Sequence, residues 1–125
     1  MTQIDYSGMS INELLDLFRS SCLAQDELWM FPDDRTIYNK HYTVLVAIRK
    51  ELKARGPEAR RSLLRLLGDD NPQVRLQVAQ FVYPVAREEA KKCLQDLASA
   101  KLPFQSLSAG MTLSGLDEDP HCLDH

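Results

Sequence analysis

The stretch that decides the fold runs from Leu63 to Ala79 and reads LLRLLGDDNPQVRLQVA. Leucines crowd its first half, and Val74 and Val78 follow four residues apart, a spacing that places apolar side chains on one face of a helix. Between the two halves, Asn71 is a favoured N-cap and Pro72 suits the first helical position. The stretch therefore predicts two helices joined by a tight turn, with the valines packed back on the leucines.

Two more helices are predicted toward the N-terminus. Ser10 and Glu13 have the spacing of a capping box, which begins the first helix. A second helix starts after Asp33 and Asp34 and ends where Gly56 can adopt a positive φ, before Pro57. Apolar residues recur at helical steps in both segments, and the run Trp29–Phe31 between them is expected to tuck under the helices.

Toward the C-terminus, Pro84 is predicted to start a fifth helix that ends before Pro103. The segment from Phe104 to about Leu116 is too apolar for a free tail, so we expect it to fold back and cover the helices. Asp117 onward is expected to fray. No segment alternates in the manner of a strand. The expectation is a single all-α domain over residues 1–125, of about five helices, with an N-terminal extension at 1–9 and a capping segment with an acidic tail at 103–125.

The Leu63–Ala79 stretch resembles a HEAT repeat, in which a Leu-rich helix, an Asp/Asn-Pro turn and a Val-Arg pair follow one another. The resemblance implies a short, right-handed HEAT/armadillo-like stack of helices that bury their apolar faces against each other. It also implies that Arg75 pairs with the turn acids Asp69 or Asp70.

Four motifs in order are similar to a bacterial family, the domain of unknown function 2019. They are Tyr38-Asn39, Ala47-Ile48-x-x-Glu51-Leu52-x-x-Arg55-Gly56, Val74-Arg75 and Met111-Thr112-Leu113. The resemblance covers roughly Leu14 to Leu116, with Leu116 in place of a bulkier aromatic residue. It implies a HEAT-like fold and no activity. HEAT-like relatives bind proteins, and some act as immunity proteins beside bacterial toxins, an analogy of fold alone.

Composition and cysteine usage point to a cytoplasmic protein. Hydrophobic residues are 44% and charged residues 26% of the chain, which is ordinary for a soluble globular protein. No run approaches the roughly 20 apolar residues of a membrane span, and no secretory signal begins the chain. Three cysteines without close spacing do not form a disulfide framework, and Cys22 and Cys93 fall on apolar stripes where Cys packs as a small hydrophobe.

Catalytic signatures are lacking, so the expectation is no enzyme, no cofactor and no metal. The sequence contains no phosphate-binding loop, zincin motif or nucleophile elbow. His121, Cys122 and His125 could ligate a metal, but no second ligand pair stands at structural-zinc spacing, and a solvated tail is the simpler reading. His41 lies on or beside an apolar stripe and is expected to be structural.

The charges favour a binding role. Residues 35–65 carry nine basic and two acidic side chains, whereas the chain as a whole has a net charge of −3. The candidate binding residues are Asn39, Arg49, Lys53, Arg61 and Arg75. The leading hypothesis is a small protein-interaction module of immunity or regulatory type, with an unknown and possibly acidic protein partner and no membrane. The basic block at 49–65 gives the alternative of nucleic-acid-backbone binding, which the sequence pI of about 5.6 disfavours. The oligomeric state stays open.

Overall fold

The computed structural model describes residues 5–28 and 35–123, and within these ranges it contains helices and no strands. This confirms the all-α class. The α-helices of the described ranges are α1 Ile11–Leu28, α2 Arg35–Ala54, α3 Pro57–Arg61, α4 Pro72–Val82, α5 Arg87–Ser99 and α6 Gln105–Glu118. Short 3₁₀ segments cover Tyr6–Gly8, Ser62–Gly68 and Tyr83–Val85. The expectations for Trp29–Phe31, Asp33, Asp34 and His125 lie outside the described residues.

The chain divides into two compact units, Met1–Ser62 and Leu63–His125. In the first unit α1 packs against α2, as the two apolar stripes predict. Six stripe residues are fully buried: Leu14, Phe18 and Cys22 on α1, and Leu45, Ile48 and Leu52 on α2. The capping box is confirmed, because the Ser10 N–H donates to Glu13 Oε1 at 2.9 Å and the Glu13 N–H donates to Ser10 Oγ at 3.1 Å.

The end of α2 also holds the segment from Tyr6 to Met9. Gly56 follows the helix with φ +106°, the positive value that glycine adopts without a Cβ penalty. Just before it, Arg55 Nη2 donates to the carbonyl oxygens of Tyr6 at 3.0 Å, Ser7 at 3.3 Å and Met9 at 2.7 Å. Arg55 Nε donates to Glu51 Oε2 at 2.8 Å, which orients the guanidinium. Glu51 and Arg55 thus fasten the turn at Tyr6–Gly8 to α2.

The predicted turn opens the second unit. Asn71 Oδ1 accepts from the N–H groups of Gln73 at 2.8 Å and Val74 at 3.2 Å, so Asn71 is the N-cap of α4. Asp69 Oδ1 in turn accepts from the Asn71 N–H at 2.9 Å. Val74 and Val78 are fully buried, as predicted.

Two helix boundaries differ from the sequence prediction. The third predicted helix is α-helical only over Pro57–Arg61 and tightens to 3₁₀ over Ser62–Gly68, a common way to end a helix whose last carbonyls need partners. The helix expected at Pro84 begins at Arg87 instead. The Ala86 N–H donates to the carbonyl oxygens of Val82 and Tyr83, which forms a turn before the helix. Ala86 itself has non-helical dihedral angles, so α5 begins after it.

The capping segment is a sixth helix, α6, where a fold-back without defined helix was expected. It packs on α5 and α4. Gln105 Nε2 donates to Gln73 Oε1 at 3.1 Å, and Gln80 Nε2 donates to Thr112 Oγ1 at 3.0 Å. The second pair lies seven residues after the first on both helices, so α4 and α6 run parallel. Helix α5 packs against both of them. Leu116 is buried at 5% exposure despite its smaller side chain.

Arg55→Ala should lower the free energy of unfolding by about 1–2 kcal/mol, because three carbonyl oxygens and Glu51 lose a charged donor in a half-buried place. Lys53→Ala, two residues earlier and exposed, should stay within about 0.5 kcal/mol of wild type. Urea denaturation followed by circular dichroism measures both. Equal losses in the two variants would show that Arg55 is not a fastening residue.

Asn71→Ala should cost about 1 kcal/mol, because two N–H groups of α4 lose their acceptor. Asn71→Ser keeps an acceptor oxygen and should recover most of that loss in the same denaturation experiment. If alanine and serine were equally destabilising, the cap would not account for the start of α4.

Candidate binding surfaces

The basic block is less exposed than its sequence indicates. Arg60 is buried at 7% exposure, and Arg55 is engaged with the N-terminal turn. Burial of Arg49 lowers its pKa, an effect that the nearby Tyr42 and Cys22 oppose. Arg49 is half-buried with its Nε inaccessible to water, whereas Lys53 is exposed, so the structure favours Lys53 over Arg49 as a surface contact.

The remaining candidates of the first unit do not form one cluster. Lys53 is exposed in the last turn of α2, and Arg61 is exposed at the end of α3, which packs on α2. Asn39 is exposed near the other end of α2, fourteen residues from Lys53, or about 21 Å along the helix axis. A single small ligand therefore cannot contact Asn39 and Lys53 together.

Arg75, the fifth candidate, lies in the first part of α4 in the second unit. The ion pair with Asp69 or Asp70 that the HEAT resemblance implied is absent among the described residues. Asp69 instead accepts the Asn71 N–H and stabilises the turn. Arg75 Nε is buried and has no hydrogen-bond partner in the part of the chain that the structure describes.

Arg75 borders a cleft of about 360 Å³ between the end of the 3₁₀ segment and α5. Leu67 and Gly68 line one side. The α5 side is lined by Glu89, Lys92, Cys93 and Asp96. Helical spacing of three and four places these α5 residues on one face, which the sequence did not connect with Arg75.

Cys93 lines this cleft, and its thiol is not an activated nucleophile. Its Sγ lies 3.8 Å from the carbonyl oxygen of Arg75, and only 9% of the residue is exposed. Burial raises the pKa of the Cys93 thiol. The positive charge of Arg75 lowers this pKa, and the negative charge of Asp96 raises it further. The thiol therefore stays protonated at neutral pH, in line with the packing role expected for it.

Among the described residues, the most exposed apolar side chains lie on α6 and at its start, where the sequence predicted covered residues. Leu107 is 66% exposed, Met111 68% and Phe104 38%, at steps of three and four along one face. We call these three residues the α6 stripe. Leu107 and Met111 of the stripe line an open groove of about 590 Å³, with Gly110, Ser114 and Glu118 on its walls. Sequence periodicity alone could not reveal this surface, because α6 is apolar on two faces and only packing decides which face is buried.

Metal-ligand and membrane features are absent from the described residues. Within 5–28 and 35–123, no three His, Cys, Asp or Glu side chains come together as ligands for a metal ion. His121 and Cys122 are exposed. None of the helices in those ranges has the length and hydrophobicity needed to cross a bilayer.

Comparison with known proteins fits this small, all-helical class. Residues 12–117 match the family model "Domain of unknown function (DUF2019)". The crystal structure of the protein RPA1889 from Rhodopseudomonas palustris CGA009 superposes with a TM-score of 0.87. It is 33% identical in sequence, and the match covers 94% of this chain and 96% of that one. The chain therefore belongs to the DUF2019 family. No curated protein matches it.

The burial of the cysteines predicts their reactivity toward a thiol reagent. Cys122 is exposed, whereas Cys22 and Cys93 are buried. At pH 8, Ellman's reagent should modify one thiol quickly and two slowly, and Cys122→Ser should remove the fast phase. Cys93→Ala should leave the fast phase intact. A fast phase that survives Cys122→Ser would place an accessible thiol where the structure has none.

Proposed function

We propose that this protein is a small bacterial protein-interaction module built from HEAT-like helix pairs, with the α6 stripe as its principal contact surface. The observation that carries the proposal is the exposure of Leu107 and Met111 at 66% and 68%. Single exposed apolar residues are common, but neighbouring large apolar residues along one helix face, beside an open groove, are typical of a protein contact.

Two groups that could carry chemistry, the Cys93 thiol and the acids of α5, have structural roles that suit a binding protein. Cys93 is held as a protonated thiol by burial, and the acids Glu88 and Glu89 lie in the first turn of α5, where they complement the helix dipole. None of the motifs for nucleotide, phosphate or acyl chemistry occurs in the sequence. A partner protein is the class of ligand that a helix face of this kind accommodates.

The HEAT-like part of the proposal rests on the turn at Asp69–Pro72 and on consecutive helices that pack in pairs within each unit. The contacts of α1 with α2, and of α5 with both α4 and α6, are those expected when each helix packs against its chain neighbour. Three free cysteines suit a reducing compartment and support a cytoplasmic location.

Charge adds a preference for an acidic partner, whether a regulated protein or a toxin in an immunity-type pair. Lys50, Lys53 and Arg61 are exposed, and neither lysine forms an ion pair with another of the described residues. Exposed cations of this kind act mainly on association rates and lose their effect as salt rises.

The test is capture through the α6 stripe. A photo-crosslinking amino acid at position 114, beside the stripe, is expected to join the protein to a partner in lysate of its source bacterium. Leu107→Ser combined with Met111→Ser should reduce the cross-linked product about tenfold or more, because truncated apolar contacts at the centre of an interface dominate its binding energy. Circular dichroism checks that the double variant is folded.

Tyr42→Ser is the matched control, since Tyr42 is also a large exposed side chain, at 48%, but lies on α2. It should leave the cross-link unchanged. Equal capture by the wild type and the stripe variant, or no cross-link at all, would contradict the proposed contact surface.

A further inference from the structure

The cleft beside Arg75 has the features of a small-molecule site that is separate from the α6 stripe. Its volume of about 360 Å³ lies within the range of pockets that bind small ligands. One wall is apolar where Leu67 lines it, and the other carries charged side chains of α5. A ligand there would contact α4, α5 and the end of the 3₁₀ segment.

The guanidinium of Arg75 is available to such a ligand. It forms no ion pair or side-chain hydrogen bond with a described residue, although two acids line the same cleft. Arg75 lines the cleft and its Nε is buried, so the terminal nitrogens are the part of the guanidinium left to bind a ligand. The two terminal nitrogens of a guanidinium present a fork that matches the two oxygens of a carboxylate.

The charges around the cleft favour a ligand with both signs. Arg75 and Lys92 supply two positive charges, whereas Glu89 and Asp96 supply two negative charges, so the lining is neutral overall. None of these four residues is ion-paired within the described chain. A simple anion gains attraction from the cations and loses it to the acids, whereas a zwitterion can place a carboxylate near Arg75 and an ammonium near an acid of α5.

We propose that this cleft binds a free α-amino acid with an apolar side chain. The carboxylate of the ligand pairs with Arg75, its ammonium group lies against Glu89 or Asp96, and its side chain contacts Leu67. The Cys93 thiol closes the α4–α5 side of the cleft by its contact with the Arg75 carbonyl and takes no part in recognition.

Binding can be followed by NMR on the full chain. The buried Nε of Arg75 protects its proton from exchange, so its Nε–Hε signal should be observable and should shift on titration with L-leucine, with a Kd of about 1 mM or tighter. Two analogues of leucine test the charged groups separately. 4-Methylpentanoate lacks the ammonium group, and 3-methylbutylamine lacks the carboxylate. Both should bind at least about tenfold more weakly, because each leaves one set of charges without a partner.

Variants separate the two halves of the site. Arg75→Gln should abolish leucine binding as read by the α5 backbone amides, and Glu89→Gln with Asp96→Asn should weaken it about tenfold or more. Lys91→Gln changes an exposed lysine of α5 that does not line the cleft and should leave binding unchanged.

Three outcomes would overturn the proposal. They are an absence of shifts with leucine, equal binding of leucine and 4-methylpentanoate, or equal loss in Lys91→Gln and Arg75→Gln. None of them bears on the α6 stripe, so failure of this site is distinguishable from failure of the protein-binding proposal.

Discussion

The second unit depends on the turn in which Asp69 accepts the Asn71 N–H and Asn71 accepts two N–H groups of α4. A helix start leaves N–H groups without partners, and here a side chain next to a proline supplies the acceptor. Once α4 begins at this point, Val74 and Val78 must enter the core and Arg75, one residue after Val74, must lie beside the cleft. The position of the proposed ligand site is thus a consequence of the cap.

Polar contacts with α4 determine the orientation in which α6 packs. Gln73 and Gln80 are seven residues apart on α4, and they bind Gln105 and Thr112, which are seven residues apart on α6. A slip of one residue would break both contacts, and the loss of a hydrogen bond between buried amide groups is costly. These contacts fix the rotation of α6, and the rotation exposes Leu107 and Met111. The exposed apolar stripe is therefore set by the polar residues on the other side of the same helix.

In the first unit, Arg55 links local and distant parts of the chain. Its ion pair with Glu51 is a contact within one helix, whereas its bonds to the carbonyl oxygens of Tyr6 and Met9 span more than forty residues. Arg60 is buried and Arg49 is half-buried, so a block of basic residues that the sequence indicates as one surface is only partly exposed. Long aliphatic stems allow arginine to cover apolar surface while its head group finds polar contacts.

The sequence by itself determined the features that depend on local chemistry. Ser10 with Glu13, Asn71 with Pro72, and Gly56 each specify a helix end through groups only a few residues apart, and helical spacing specified Val74 and Val78 as core. It also carried the resemblance to the DUF2019 family. It could not specify α6 as a helix, because serines and glycines lower its intrinsic propensity and the contacts that stabilise it come from α4 and α5. Tertiary structure alone decided which apolar residues of α6 are exposed to water and which arginines are buried. It also decided that Arg75 lines a cleft and does not pair with Asp69 or Asp70. Each of these depends on side chains distant in the chain, and their positions are settled only when the helices pack.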